Sequence, residues 1–113
     1  MFPKRKRRRK KGVVDMEEKL EKSINILGTK YVLEFVPIIS KEEFLVGQID
    51  YTNQKIQLLE DLGEDVVKVT LLHEILHGIF NQLGFSEEET NEHLIQSLAT
   101  ALYQVLKENK LLD

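Results

Sequence analysis

The chain has 113 residues with no cysteine, and its 16 basic and 19 acidic residues leave a formal net charge of −3. This length suits one domain with one core, and the absence of Cys excludes disulfides and thiolate ligands, so that a bound metal would need His, Asp or Glu. Because no apolar run is long enough to cross a bilayer and no apolar signal segment follows the basic N-terminus, we expect a cytoplasmic protein without a membrane partner.

The first segment of the chain is strongly basic. Eight consecutive basic residues run from Lys4 to Lys11, whereas all 19 acidic residues lie beyond Gly12. Because like charges repel, we predict that residues 1–12 form a disordered tail and that residues 13–113 form a single domain. Two interpretations of the tail stay open. It is either an arm that binds nucleic acid through Lys4–Lys11 or a solvated extension without a partner.

The next segment has the spacing of a helix. Asp15 and Glu18 resemble a capping box, with Asp in place of Ser or Thr. Gly28 is a plausible stop for a helix that begins there. The apolar positions between them are about one turn apart, at Met16, Leu20, Ile24 and Leu27. We therefore predict an N-terminal helix.

The middle of the chain is predicted to form strands. Residues 29–39 are rich in Tyr, Val, Phe and Ile, and Pro37 either ends this strand or limits it to an edge. Residues 45–51 and Lys55–Leu59 look like a hairpin, since Asn53 between them tolerates a left-handed turn. Together these segments predict a small three-stranded antiparallel sheet.

Two helices are predicted to complete the domain. Residues 66–82 are apolar on nearly all sides, which is typical of a buried helix that Asp65 could cap. Gly84 ends this segment, and Ser86 could cap a second helix that runs to about Asn109. A short connection favours an antiparallel pair. The predicted fold class is α+β: an N-terminal helix, a three-stranded antiparallel sheet and a two-helix hairpin packed on one face of that sheet.

A His-Glu-x-x-His motif lies inside the first of these two helices. His73 and His77 are four residues apart, so their imidazoles share one helix face and can bind one zinc ion. Glu74 is rotated by about 100° from His73, where its carboxylate can act as general base on a water molecule without binding the metal. Two buried imidazoles without partners would be costly. We therefore expect one Zn²⁺ per chain and Glu74 as the catalytic residue.

A third protein ligand has to come from the second helix of the hairpin. The antiparallel return brings residues 92–94 level with the histidine pair, at a rise of about 1.5 Å per residue. Glu92 borders the core-facing stripe and is the predicted ligand, with Glu88 as the alternative. Glu89 is predicted to project with Gln96 and Thr100, away from that stripe.

The motif and the later Asn91-Glu92 pair resemble the gluzincin clan of zinc peptidases. The small size, the apolar residues before His73 and the segment 102–106 are similar to minimal single-domain members, the minigluzincins, and to phage proteins related to ImmA/IrrE-type metallopeptidases. The resemblance covers residues 15–110. It implies that residues 13–113 form a zinc-dependent endopeptidase domain with His73, His77 and Glu92 as ligands.

The resemblance also implies a substrate-binding strand before the active-site helix, with which an extended peptide or protein substrate pairs. The best match is the segment Lys55, Ile56, Gln57, Leu58 and Leu59. One departure concerns Gln96, where larger gluzincins often carry an Asp that supports a histidine ligand. This departure keeps open an alternative function: a zinc-binding regulatory or interaction module with weak or no catalysis, in which the basic tail could bind nucleic acid.

Overall fold

The computed structural model describes Leu20 and residues 22–112. The predicted basic tail at residues 1–12 and the start of the predicted N-terminal helix, residues 15–19, lie outside the described residues. One mixed sheet is followed by three helices. The strands are β1 (Ser23–Ile26), β2 (Thr29–Val36), β3 (Gly47–Asp50) and β4 (Lys55–Leu59), and the helices are α1 (Glu64–Leu83), α2 (Ser86–Glu89) and α3 (Glu92–Glu108).

The end of the predicted N-terminal helix is instead strand β1, so this prediction is wrong for residues 23–27. β1 pairs antiparallel with β2 through a two-residue turn at Leu27 and Gly28, both of which have positive φ. Asn25 Oδ1 accepts a hydrogen bond from the Gly28 N–H at 2.8 Å. Glycine at the second turn position is typical of such hairpins. Gly28 therefore does interrupt the local structure, but as part of a hairpin rather than as a helix stop.

The predicted three-stranded antiparallel sheet is also wrong. The sheet has four strands in the order β1-β2-β4-β3, and β4 runs parallel to β2. β3 and β4 do form the expected antiparallel hairpin. Ile56 and Leu58 are fully buried, which suits a strand with neighbours on both sides. After β2, the chain therefore forms the edge strand β3 first. It then returns as β4, which lies between β2 and β3.

The core lies in two layers on either side of α1. The sheet packs Ile26, Tyr31, Leu33, Ile56 and Leu58 against Val67 and Leu71 of α1. The opposite side of α1 packs through Leu76 against Ile95 and Ala99 of α3. Because α1 lies between the sheet and α3, it is buried on two sides, in agreement with its apolar sequence.

The helix boundaries differ from the sequence-based expectation in one way that matters for the site. α1 begins at Glu64, with Gly63 rather than the predicted Asp65 as its N-cap residue, and it ends at Leu83, before Gly84 in the left-handed conformation. The predicted second helix is broken: α2 ends at Glu89, and α3 begins after Asn91, whose side chain accepts a hydrogen bond from Leu94 N–H. Within the described part of the chain, no helix is both long and apolar enough to span a membrane.

Candidate metal centre

His73, His77 and Glu92 form a group that could hold a metal ion, with one ligand atom from each within 4.8 Å of the others. The two histidines lie one turn apart on α1, and Glu92 is the first residue of α3. His73 Nε2 lies 3.2 Å from His77 Nε2 and 2.9 Å from Glu92 Oε2. His77 Nε2 lies 3.0 Å from Glu92 Oε1. Three side chains from two helices thus converge on one point.

The outer nitrogen of each imidazole has a polar partner that fixes the position of the ring proton. His77 Nδ1 lies 3.1 Å from Glu89 Oε1, and His73 Nδ1 lies 2.7 Å from Gln96 Oε1. A carboxylate oxygen can only accept, so His77 Nδ1 carries the proton. Gln96 Nε2 faces Thr100 Oγ1 at 3.4 Å, which leaves its oxygen to accept from His73. With these protons on the Nδ1 atoms, both Nε2 atoms are left to present lone pairs to the centre of the group, as metal binding requires.

The geometry and chemistry of this group fit a zinc ion. Two imidazole nitrogens and a carboxylate that point lone pairs at each other repel unless a cation or a proton lies between them. The spacings of 2.9 to 3.2 Å are close to the edge of a tetrahedron with bonds of about 2.0 Å, which is about 3.3 Å. Nitrogen donors disfavour Ca²⁺ and Mg²⁺, which take oxygen ligands. Two histidines and one glutamate are a known donor set for catalytic zinc.

The group is buried on one side and open on the other. The side chain of His77 is 9% exposed, whereas that of Glu92 is 67% exposed. The group has three members among the described residues, and Glu88, the alternative ligand, is not one of them. Three ligands with access from solvent leave room for a fourth, exchangeable one, which distinguishes catalytic zinc sites from structural sites.

Glu74 is a buried carboxylate beneath β3, beside the metal group. It is 6% exposed and accepts a hydrogen bond from the backbone N–H of Ile49. The pKa of Glu74 is raised to about 7, chiefly by burial; the charges of Glu92 and Glu89 also raise it, whereas His73 and the Ile49 hydrogen bond lower it. A cation at the metal group would lower this pKa, since it favours the charged form. The carboxylate is thus held in place without binding the predicted metal ligands.

A groove of about 660 Å³ runs over the metal group and along β3. One wall is the segment from Glu43 to Ile49, and the floor contains His73, Glu74, His77, Glu92 and Gln96. Phe44 is 83% exposed on the rim. This groove leads to both the metal group and Glu74.

The predicted substrate-binding strand, Lys55–Leu59, does not have the position that this role requires. It is β4, which is paired with β2 on one side and with β3 on the other, so its backbone has no free edge among the described strands. Its residues Lys55, Ile56, Gln57, Leu58 and Leu59 are also absent from the groove lining. The strand that borders the groove with a free edge is β3. The sequence pattern identified the hairpin but could not tell which of its strands lies outermost.

Glu89 and Tyr51 at the site were not predicted from the sequence. Glu89 contacts His77, although a continuous helix from Ser86 would turn it away from the core. The break between α2 and α3 changes its direction. Asn91 is the signal that could have revealed this break, since Asn is a preferred N-cap residue. Gln96, expected to be a departure that weakens the site, contacts His73 in the structure.

Comparison of the chain with protein-family models, curated proteins and solved structures gives no match. The assignment of a function therefore depends on the chemistry of this site.

Proposed function

We propose that this chain is a zinc-dependent endopeptidase that uses His73, His77 and Glu92 to hold the metal and Glu74 as general base. The observation that carries the proposal is the convergence of two imidazole nitrogens and one carboxylate on a point that opens into the groove. Glu74 lies beside this point and is not needed as a ligand. The proposed family is the gluzincin clan, in its minimal single-domain form.

The reaction is the hydrolysis of a peptide bond. Zinc bound at the three ligands would act as a Lewis acid that polarises the scissile carbonyl and acidifies the attacking water. Glu74 accepts one proton from this water while the water oxygen forms a bond to the carbonyl carbon. The carbon–nitrogen bond then breaks, and Glu74 passes the proton to the leaving amine. The Ile49 N–H keeps the Glu74 carboxylate oriented throughout.

The proposed substrate is an extended peptide that pairs with β3. Leu59 N–H donates to the Val46 carbonyl, so residue 46 faces β4. Because bonding directions alternate in an antiparallel pair, the outward-facing peptide groups of β3 are those of Gly47 and Ile49. Since the Ile49 N–H donates to Glu74, a substrate would pair with the Gly47 peptide groups and the Ile49 carbonyl. The donation of Ile49 N–H to Glu74 agrees with this alternation. A peptide on this edge would cross the groove beside the base and the metal group.

The direct test is the digestion of a peptide library by zinc-loaded full-length protein. Glu74→Gln retains an amide oxygen for the Ile49 N–H and leaves all three ligands in place, so it should keep its zinc. The amide cannot take the proton from water, and turnover should fall by about 10²–10⁴-fold. Glu43→Gln is the matched control, because it removes a carboxylate from the same groove without touching the metal group, and it should remain active.

Two results would contradict the proposal. Cleavage by Glu74→Gln at the wild-type rate would remove Glu74 from the mechanism. One zinc per chain without any turnover by the wild type, under conditions in which a known zinc endopeptidase cleaves the library, would instead favour the zinc-binding module.

A further inference from the structure

A tyrosine of the β3–β4 hairpin reaches the metal group through a glutamate. Tyr51 follows the last residue of β3, and its hydroxyl donates to Glu89 Oε1 at 2.9 Å. The same oxygen lies 3.1 Å from His77 Nδ1. A carboxylate oxygen has two lone pairs, so one atom can accept both protons. The contact joins the sheet, the short helix α2 and the metal-bearing face of α1.

The contact is well shielded from water. The side chain of Glu89 is 20% exposed and that of His77 is 9% exposed. A carboxylate in such a place requires hydrogen-bond donors, and Tyr51 and His77 supply two. Burial raises the pKa of the Tyr51 hydroxyl, and the adjacent Glu89 carboxylate raises it further. Tyr51 therefore stays protonated and acts as a donor at neutral pH.

We propose that Glu89 and Tyr51 are positioning residues for His77, which hold its ring in the tautomer and orientation that metal binding requires. This inference rests on the proposed metal site. Partners of this kind fix the ring of a ligating histidine and increase the basicity of the nitrogen that binds. The two histidines differ in the partner of Nδ1, which is the neutral amide of Gln96 for His73 and the carboxylate of Glu89 for His77.

The test measures the zinc dissociation constant of the full chain by competition with a chromophoric chelator. Glu89→Ala should bind zinc about 10–100-fold more weakly than the wild type, as expected for the loss of an outer partner. Tyr51→Phe removes only the donor to Glu89 and should weaken binding by about 2- to 10-fold, the effect of one hydrogen bond. Glu87→Ala, on the same short helix, is the matched control and should leave the dissociation constant unchanged.

A second readout separates positioning from general stability. In protein loaded with cobalt, the visible absorption bands report the ligand geometry, and they should change in Glu89→Ala but not in Glu87→Ala. Glu89→Gln restores an acceptor oxygen of the same shape, so it should bind zinc more tightly than Glu89→Ala. If Glu89→Ala does not fold, Glu89→Gln and Tyr51→Phe decide the question, since both conserve shape.

The outcomes separate the two proposals. A wild type that takes up no zinc contradicts the metal site itself and, with it, this inference. A wild type that binds one zinc, with Glu89→Ala and Tyr51→Phe equal to Glu87→Ala in affinity and in cobalt spectrum, contradicts the positioning role alone.

Discussion

At Gly47, strand β3 comes very close to helix α1. A β-carbon added there would lie 2.5 Å from Thr70 Cγ2 and 3.2 Å from Glu74 Oε2. A side chain therefore cannot be placed at this position unless the strand or the side chains of Thr70 and Glu74 move. Because Ile49 of the same strand donates to Glu74, the close approach of β3 also positions the proposed base.

Replacement of Gly47 should therefore destabilise the protein. We expect Gly47→Ala to lower the free energy of unfolding by about 1–3 kcal/mol, as is typical of overpacking. Gly63→Ala is the matched control, since no atom lies within 4 Å of its added β-carbon and its φ is −63°. Urea unfolding of both variants provides the measurement. Equal stability of Gly47→Ala and Gly63→Ala would show that β3 is free to move away from α1.

The residues proposed to do the chemistry follow from short-range spacing, whereas their partners do not. Helical geometry alone puts His73 and His77 on one face, and the return of an antiparallel helix brings Glu92 level with them. The contact between His77 and Glu89 depends on the break at Thr90 and Asn91, between α2 and α3. The contact between Glu89 and Tyr51 depends on the position of a hairpin that is 38 residues distant in sequence. Neither contact produces a periodic pattern in the sequence.

The break between α2 and α3 is the element-scale feature that organises the metal group. Asn91 caps α3 by accepting the Leu94 N–H at 3.0 Å. Glu92 follows at once as the first helical residue, and Glu89 closes α2 on the other side of the break. The carboxylate proposed to bind the metal and the carboxylate proposed to orient His77 therefore come from two helices that meet at one corner.

Loss of this cap should weaken α3 at the end that carries Glu92. Asn91→Ala should cost about 0.5–2 kcal/mol of stability, which is the usual cost of removing an N-cap side chain. Asn81→Ala, at an exposed position inside α1, is the matched control and should be neutral or slightly stabilising, because Ala favours helices. Thermal unfolding of the two variants would measure the difference. An Asn91→Ala protein as stable as Asn81→Ala would mean that the break persists without its cap.

The arrangement of the strands was harder to predict than their existence. Alternation and β-branched residues mark β2, β3 and β4, and the β3–β4 hairpin follows from its turn. Strand β1 was missed because Leu20, Ile24 and Leu27 have a helical spacing, whereas the alternation of Ile24 and Ile26 extends over only four residues. The pairing of β2 with β4 is set by tertiary packing, and the complete burial of Ile56 and Leu58 suits the central position of β4. A short local pattern cannot distinguish a central strand from an edge strand.

At the scale of the whole molecule, charge is distributed unevenly. The eight basic residues at positions 4–11 are followed by a chain that contains all 19 acidic residues. The basic residues lie outside the described part of the structure, so their role stays a sequence-based prediction. If they bind polyanions, they should do so by releasing counterions from the nucleic acid, which makes the affinity depend steeply on salt.

Deletion of residues 1–12 tests this prediction. The full chain should bind DNA with a log–log salt slope as steep as about −7, the upper bound for eight phosphate contacts. The deleted chain should lose this binding and keep the thermal midpoint of the full chain. A full-length variant with the eight basic residues replaced by Gln is the matched control and should behave like the deletion. DNA affinity that is the same before and after the deletion would identify the tail as a solvated extension.

The residues of the metal group come from α1 and α3, which pack against each other. Zinc bound there should therefore also stabilise the folded state. A ligand that binds only the folded chain adds about 2.7 kcal/mol at a free concentration of 100 times its dissociation constant. The prediction is a higher thermal midpoint with zinc than with chelator. Glu92→Gln should show a much smaller difference, because its neutral amide is a poorer ligand. Equal midpoints of the wild type with and without zinc would contradict binding to the folded state.

Elemental analysis of the purified full chain, loaded with zinc and then dialysed, tests the central claim most directly. The wild type should retain one zinc per chain. Glu88→Gln should also retain one, because Glu88 is not part of the metal group, whereas Glu92→Gln should retain far less. A wild type that retains no zinc would contradict the metal site, and a Glu92→Gln protein that retains a full equivalent would show that the third ligand is a different residue.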